Sequence, residues 1–277
     1  MKTFVDKEFV LQEMKKNNVR IADCRFQLGA PEKGRTSYRE GHIPGAVYFH
    51  IEEDLAGSVG EHGGRHPLPE VEQFKKVLEN AGISNDMTVI AYDGGEGSFA
   101  ARFWWLLKYV GHEKAFILDG GFKDWVESGY PVDTLVPQYR SANYKIAVQE
   151  ELLASYEEVK ETVATRESVL IDSRDSRRYL GIEELVDKKA GHIPTAVNYV
   201  WTEGFANGRF KAPFEQEKRF SNLSKDSKII VYCGSGITAT PNYIALKEAG
   251  FKHVKLYAGS FSDWISYDEN EVETSDD

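Results

Sequence analysis

The stretch KIIVYCGSGITATPNYIALKEAG (residues 228–250) opens as a β-branched run, passes through Cys233 and two glycines, and closes as a helical pattern beginning near Thr238. Strand, small-residue turn and helix in that order are the unit from which parallel sheets are built. The stretch has a counterpart earlier in the chain. TVIAYDGGEGSFAARFWWLLKYVG (88–111) repeats the order, with Asp93 standing where the later copy has Cys233.

Three further blocks repeat. VRIADCRF (19–26) answers VLIDSRDS (169–176), EGHIPGAVYF (40–49) answers AGHIPTAVNY (190–199), and LDGGFKDW (118–125) answers YAGSFSDW (257–264). The offsets are 192 − 42 = 150, 233 − 93 = 140 and 264 − 125 = 139, so order survives with modest insertions and deletions. A duplication sets the architecture before any element is assigned. The expected fold is α/β: two tandem domains, each a mostly parallel sheet covered by helices on both faces. The boundaries read as a first domain over 1–135, a linker over 136–155 and a second domain over 156–277. The acidic end YDENEVETSDD reads as solvated and frayed.

Composition narrows the function. The 277 residues are 41% hydrophobic and 12% aromatic, as in a soluble globular chain. A formal charge of −10 argues against a nucleic-acid partner, which requires a basic face. No apolar run reaches the roughly 20 residues of a membrane span, and the amino end lacks the continuous apolar core of a secretion signal. Cys24 and Cys233 cannot build a disulfide framework, which fits a reducing cytoplasm. No nucleotide or metal motif is present, so no cofactor is expected.

Cys233 is the candidate nucleophile. Small residues between a strand end and a helix start leave backbone N–H groups aimed inward, a setting that stabilises negative charge and hence a reactive thiolate. Asp93 cannot perform thiol chemistry, so one repeat is active and the other carries a relic. Cys24 lies in a β-like run and reads as core, and FWWLLKY (103–109) as helical packing. His42 and His192, in the twin GHIP segments, occur in both the active and the inactive repeat, which favours a role in the fold.

The chain resembles the two-domain sulfurtransferases of the rhodanese family over almost its whole length. The resemblance rests on the twin GHIP segments, DSRDSRRYLG (172–181), the aspartate of the first repeat and the loop CGSGIT. It implies that Cys233 takes a sulfane sulfur from a small-molecule donor as a persulfide and passes it to a thiophilic acceptor: a thiol, thioredoxin or cyanide. Thiosulfate-specialised members carry a Cys-Arg-Lys-Gly loop. Here Gly234 and Ser235 replace both cations, a pattern similar to the 3-mercaptopyruvate sulfurtransferases. The expected donor is 3-mercaptopyruvate, with thiosulfate or a non-turnover persulfide carrier as the alternatives.

The resemblance also implies roles. Ser235 relays the donor thiol's proton, Thr238 supplies the hydroxyl at the loop end, and Arg178 holds the donor carboxylate, with Arg177 solvated. Gly234, Gly236 and Ile237 complete the donor-binding loop. His66 and Glu52 approach the loop from the first domain, Glu52 orienting Ser235. A one-residue slip in GSVGEHGGRHPLP selects Arg65 or Glu53 instead, and Lys188 is the weaker candidate for a second cation. A cysteine phosphatase is the rival chemistry, but it needs an arginine six residues after the cysteine. That position is Ala239.

Overall fold

The computed structural model describes residues 2–274. The chain forms two compact units that are not contiguous in sequence. One unit holds the chain up to Gly57, then Pro69–Gln149 and Asn207–Phe210; the other holds Ser58–Leu68, Glu150–Ala206 and the chain from Lys211 onward.

The first unit contains five parallel strands: β1 (Phe4–Val5), β2 (Val19–Asp23), β3 (Ala46–Tyr48), β4 (Thr88–Tyr92) and β5 (Ala115–Leu118). Their order across the sheet is β1-β5-β4-β2-β3, with Val19–Asp23 in register against Thr88–Tyr92. The helices are α1 (Lys7–Glu13), α2 (Glu32–Glu40), α3 (Val71–Asn80), α4 (Ser98–Tyr109) and α5 (Gly121–Glu127). Asp6 caps α1 by accepting the Phe9 N–H at 2.8 Å, satisfying a donor the helix cannot. The core gathers Val10, Ile21, Ile90, Tyr92, Leu118 and Trp125. Phe103, Trp104 and Trp105 of α4 are buried packing, as their helical spacing implies.

The second unit repeats the plan on a smaller sheet. Strands β6 (Val169–Asp172), β7 (Val197–Asn198), β8 (Lys228–Tyr232) and β9 (His253–Leu256) run parallel in the order β9-β8-β6-β7. Its helices are α6 (Tyr156–Thr165), α7 (Ser176–Tyr179), α8 (Pro213–Arg219), α9 (Thr240–Glu248) and α10 (Ser260–Trp264). Ile229, Ile230 and Val231 are all buried, as expected for a continuous apolar run inside a parallel sheet. Each such side chain contributes on the order of 1.5–3 kcal/mol when fully buried.

The GHIP segments have the same structural task in both units. Arg25 chelates Asp23 and donates to the Gly41 carbonyl at 2.7 Å; Arg174 chelates Asp172 and donates to the Gly191 carbonyl at 2.6 Å. His42 stacks on Tyr38 at 4.0 Å and His192 on Tyr179 at 3.8 Å, each with Nδ1 bonded to that tyrosine's carbonyl. Both histidines are buried and tie a helix end to a strand start.

Two expectations are corrected. Residues 136–149, read as linker, pack on the first unit: Ala142 N–H donates to the Glu79 carbonyl and Gln149 N–H to the Tyr109 carbonyl. The acidic end is not frayed through Thr274. His192 and Glu273 exchange backbone hydrogen bonds, the Glu273 carboxylate accepts from Thr195 N–H, and Trp264 Nε1 donates to the Glu271 carbonyl. The last three residues of that end, 275–277, lie outside the described residues.

Candidate active site

Cys233 follows β8 directly, at the carboxyl end of the strand, where open parallel sheets bind their ligands. Its side chain is buried, and both cysteines are free. Gly236 N–H donates to Cys233 Sγ at 3.2 Å. Gly236 has φ +77°, and a Cβ there would lie 2.2 Å from the Ala258 carbonyl oxygen, so only glycine lets the loop return this amide to the sulfur. Helix α9 begins at Thr240, two residues later than its sequence pattern implies. Ala239 is its N-cap, so the half-buried Thr238 sits in the turn before the helix and does not cap it.

Ser260 fixes the other side of the cysteine. It accepts the Cys233 N–H at 3.1 Å and donates to the Tyr257 carbonyl at 2.8 Å. Its φ of +57° is the left-handed conformation that favours glycine, and the first repeat has Gly121 there at φ +58°. The active repeat accepts a strained residue and gains a hydroxyl in return.

The first repeat shows what such a loop does with a fixed anion. Asp93 is buried, and its carboxylate accepts the N–H groups of Gly95, Gly97, Phe99 and Ala100 at 2.9–3.2 Å. The loop fold is an anion cradle, filled by a carboxylate in one repeat and facing a thiol in the other.

His66 and Ser235 are brought together. Nδ1 of His66 and Oγ of Ser235 are hydrogen-bonded at 2.8 Å, and both side chains are buried. His66 does not belong to the first unit, where its place in the sequence put it. Residues 58–68 pack with the second: Gly63 N–H donates to the Asp263 carboxylate at 2.7 Å, Arg65 N–H to Ser262 Oγ at 3.1 Å, and the His62 ring stacks on Tyr267 at 3.9 Å. Glu52 lies in an exposed turn of the first unit, its N–H donating to His50 Nδ1.

Arg178, on α7, borders Gly234 together with Arg65. A Cβ on Gly234 would lie 2.9 Å from Arg65 Nη2 and 3.7 Å from Arg178 Nη1. Burial lowers the Arg65 guanidinium from its usual value, and the nearby Cys233 sulfur opposes that shift. Two carboxylates meet the two cations. Asp187 bridges Arg65 Nη1 and Arg178 Nη2, the latter at 2.7 Å, while Glu184 accepts from Arg178 Nε at 3.0 Å. Lys188 is exposed, so the second cation beside the loop is Arg65. Arg177 is exposed and paired with Glu183 at 2.8 Å. Residue 239 is a buried alanine, so the loop lacks the arginine a phosphatase would need.

One group of possible metal-binding side chains occurs among the described residues, in the first unit. Glu32, His50 and Glu53 approach within 4.8 Å of one another. Arg35 already pairs with both carboxylates, and His50 Nδ1 accepts two backbone N–H groups, which puts its proton on Nε2. The donor set therefore does not suit a cation.

The rhodanese-like domain model matches residues 6–128 and again 155–267. The chain belongs to the rhodanese family. Among curated proteins it is 37% identical over 262 residues to the "Probable 3-mercaptopyruvate sulfurtransferase" of Pseudomonas aeruginosa, covering 92% of each chain. It is 33% identical over 256 residues to the thiosulfate sulfurtransferase of Mus musculus, covering 90% of this chain and 85% of that one. The crystal structure of SseA from Escherichia coli, a 3-mercaptopyruvate sulfurtransferase, superposes with a TM-score of 0.84 at 30% identity, covering 95% of this chain and all of that one. Both units have the rhodanese fold of mostly parallel sheets and helices, and sulfurtransferase chemistry is what these curated relatives share. Among the described residues, no helix is long and apolar enough to cross a membrane.

Proposed function

We propose that the protein transfers a sulfane sulfur from 3-mercaptopyruvate to a thiophilic acceptor through a persulfide on Cys233, in a reducing, cytoplasmic setting. The observation that carries the reading is the placement of the Cys233 sulfur under the Gly236 N–H, in a loop whose first-repeat counterpart cradles a carboxylate.

In the proposed step the Cys233 thiolate attacks the donor sulfur. The new S–S bond forms as the donor C–S bond breaks, and its electron pair leaves as the enolate of pyruvate. The thiol proton, first held on the terminal sulfur, passes through Ser235 and His66 to the enolate carbon. Their 2.8 Å hydrogen bond suits a relay of this kind. The remaining persulfide anion is stabilised by the loop amides and Thr238 lies at the loop end to support it. Arg178 and Arg65 hold the donor carboxylate beside Gly234, with Gly236 and Ile237 shaping the loop. A thiol, thioredoxin or cyanide then attacks the outer sulfur and returns the thiolate.

Thiosulfate is the second reading, favoured by one observation: the loop has no cation of its own, but Arg65 and Arg178 flank it. Against a dianion stands the charge balance, since these two guanidinium groups face the carboxylates of Glu184 and Asp187. Steady-state kcat/KM with each donor decides. Mercaptopyruvate preferred by tenfold or more, about 1.4 kcal/mol of discrimination, supports the reading; thiosulfate preferred by that margin overturns the donor assignment.

A further inference from the structure

Asp187 occupies the place beside the loop where an anionic donor is needed. Its carboxylate is 1% exposed and joins Arg65 to Arg178, and its Oδ2 lies 3.6 Å from where a Gly234 Cβ would be. The sulfur of Cys233 is one residue away. We propose that Asp187 is an internal stand-in for the donor's carboxylate, and that the donor binds by displacing it from a two-arginine clamp of which Arg65 is the specificity-determining half. This deepens the sulfurtransferase reading and rests on it.

The segment carrying Asp187 is built to leave. Glu184 Oε1 accepts the N–H groups of Val186 and Asp187 at 2.8 and 2.9 Å, so the turn is shaped by its own carboxylate. Glu184 also holds Arg178 and reaches Arg174 at 3.5 Å, which keeps Arg178 aimed when Asp187 departs. Ile182, Leu185 and Val186 are 50%, 85% and 59% exposed. Moving the segment therefore sacrifices ion pairs and almost no buried apolar surface. Those ion pairs are replaced in kind by the incoming carboxylate, and Arg65, whose side chain is 34% exposed, is the cation that solvent-borne anions meet.

The exchange also discriminates. One carboxylate replacing another leaves the clamp neutral, whereas a dianion adds a charge that neither arginine has spare. Rejection by an unbalanced buried charge is a means of specificity distinct from better contacts with the right ligand.

The test is direct binding of pyruvate, a carboxylate without a transferable sulfur, to the full chain by calorimetry. Asp187→Asn keeps the shape and removes the competing charge, so it is expected to bind pyruvate at least tenfold more tightly than the wild type. Arg65→Gln, at the solvent-facing side of the clamp, is expected to bind at least tenfold more weakly. A structural role for the bridge would weaken binding in both variants, since both lose the same ion pair. Asp187→Asn binding no more tightly than the wild type overturns the proposal, as does unchanged binding in Arg65→Gln. In turnover, Asp187→Asn should lower KM for mercaptopyruvate with kcat nearly unchanged. Because pyruvate binding needs no sulfur transfer, the two readings fail separately: a protein that turns over no donor but shows opposite shifts loses the sulfurtransferase reading alone, and a protein that turns over mercaptopyruvate without those shifts loses the clamp alone.

Discussion

Nδ1 of His66 lies 2.8 Å from Oγ of Ser235, and the two are 169 residues apart in sequence. The pair places a titratable ring behind a hydroxyl two residues from the nucleophile. Replacing His66 with Ala is expected to lower kcat with mercaptopyruvate by about 10²- to 10⁴-fold, the usual range for a positioned general acid or base. Ser235→Ala should give a similar loss, and the double variant little more than either single one, because members of one relay are not additive. Strictly additive losses, measured by steady-state kinetics, would separate the two residues into independent roles.

Ser260 makes an unusual stability prediction. At φ +57° a β-carbon is strained, yet the hydroxyl accepts the buried Cys233 N–H. Ser260→Ala keeps the strain and orphans the amide, a loss of about 1–3 kcal/mol. Ser260→Gly orphans the same amide but relieves about 1 kcal/mol of strain. The glycine variant should therefore be the more stable of the two by urea denaturation, as the Gly121 of the first repeat suggests.

Gly236→Ala tests the loop itself. The added methyl would fall 2.2 Å from the Ala258 carbonyl oxygen at a backbone angle that disfavours it. The expected cost is on the order of 2–4 kcal/mol, with the Gly236 amide drawn off the sulfur and activity lost even in molecules that remain folded. Near-normal kcat in this variant would show that the amide is not part of the chemistry.

His112 predicts part of the acid sensitivity. It is buried between Tyr144 and the Met87 carbonyl, and burial, with Lys108 nearby, lowers it to about 4. The unfolded chain takes up the proton first, near pH 6.5, so stability is complete above that value and falls as pH drops toward about 4. The loss attributable to this ring is at most about 3 kcal/mol. His112→Asn should flatten the pH dependence of the unfolding free energy between pH 6.5 and 4. An unchanged slope would assign the acid transition to other groups.

Much of this was legible in the sequence because the signals are local. The β-branched runs 88–92 and 228–232 became strands at those residues, and the glycines around Cys233 announced the turn. The duplication supplied its own control, since His42 and His192 behave alike while Asp93 and Cys233 differ. What stayed hidden depends on the chain's path. Residues 58–68 have no periodicity, so nothing local told which unit they join, and with them went the place of His66 and Arg65. Asp187 carried no signal in the sequence: its neighbours Leu185 and Lys188 are exposed, and only the fold shows that its own carboxylate is not. Ser260 had a signal that alignment of the repeats contains, a serine opposite a glycine, but its meaning lies in a backbone angle.

The central claim is a persulfide on Cys233, and the most direct measurement is the intact mass of the protein after brief exposure to 3-mercaptopyruvate without acceptor. The account predicts a species heavier by one sulfur atom, the addition mapped to the peptide bearing Cys233, absent from Cys233→Ser and removed by added thiol. An unmodified Cys233 while pyruvate is nevertheless released, or a sulfur found on Cys24, would contradict it.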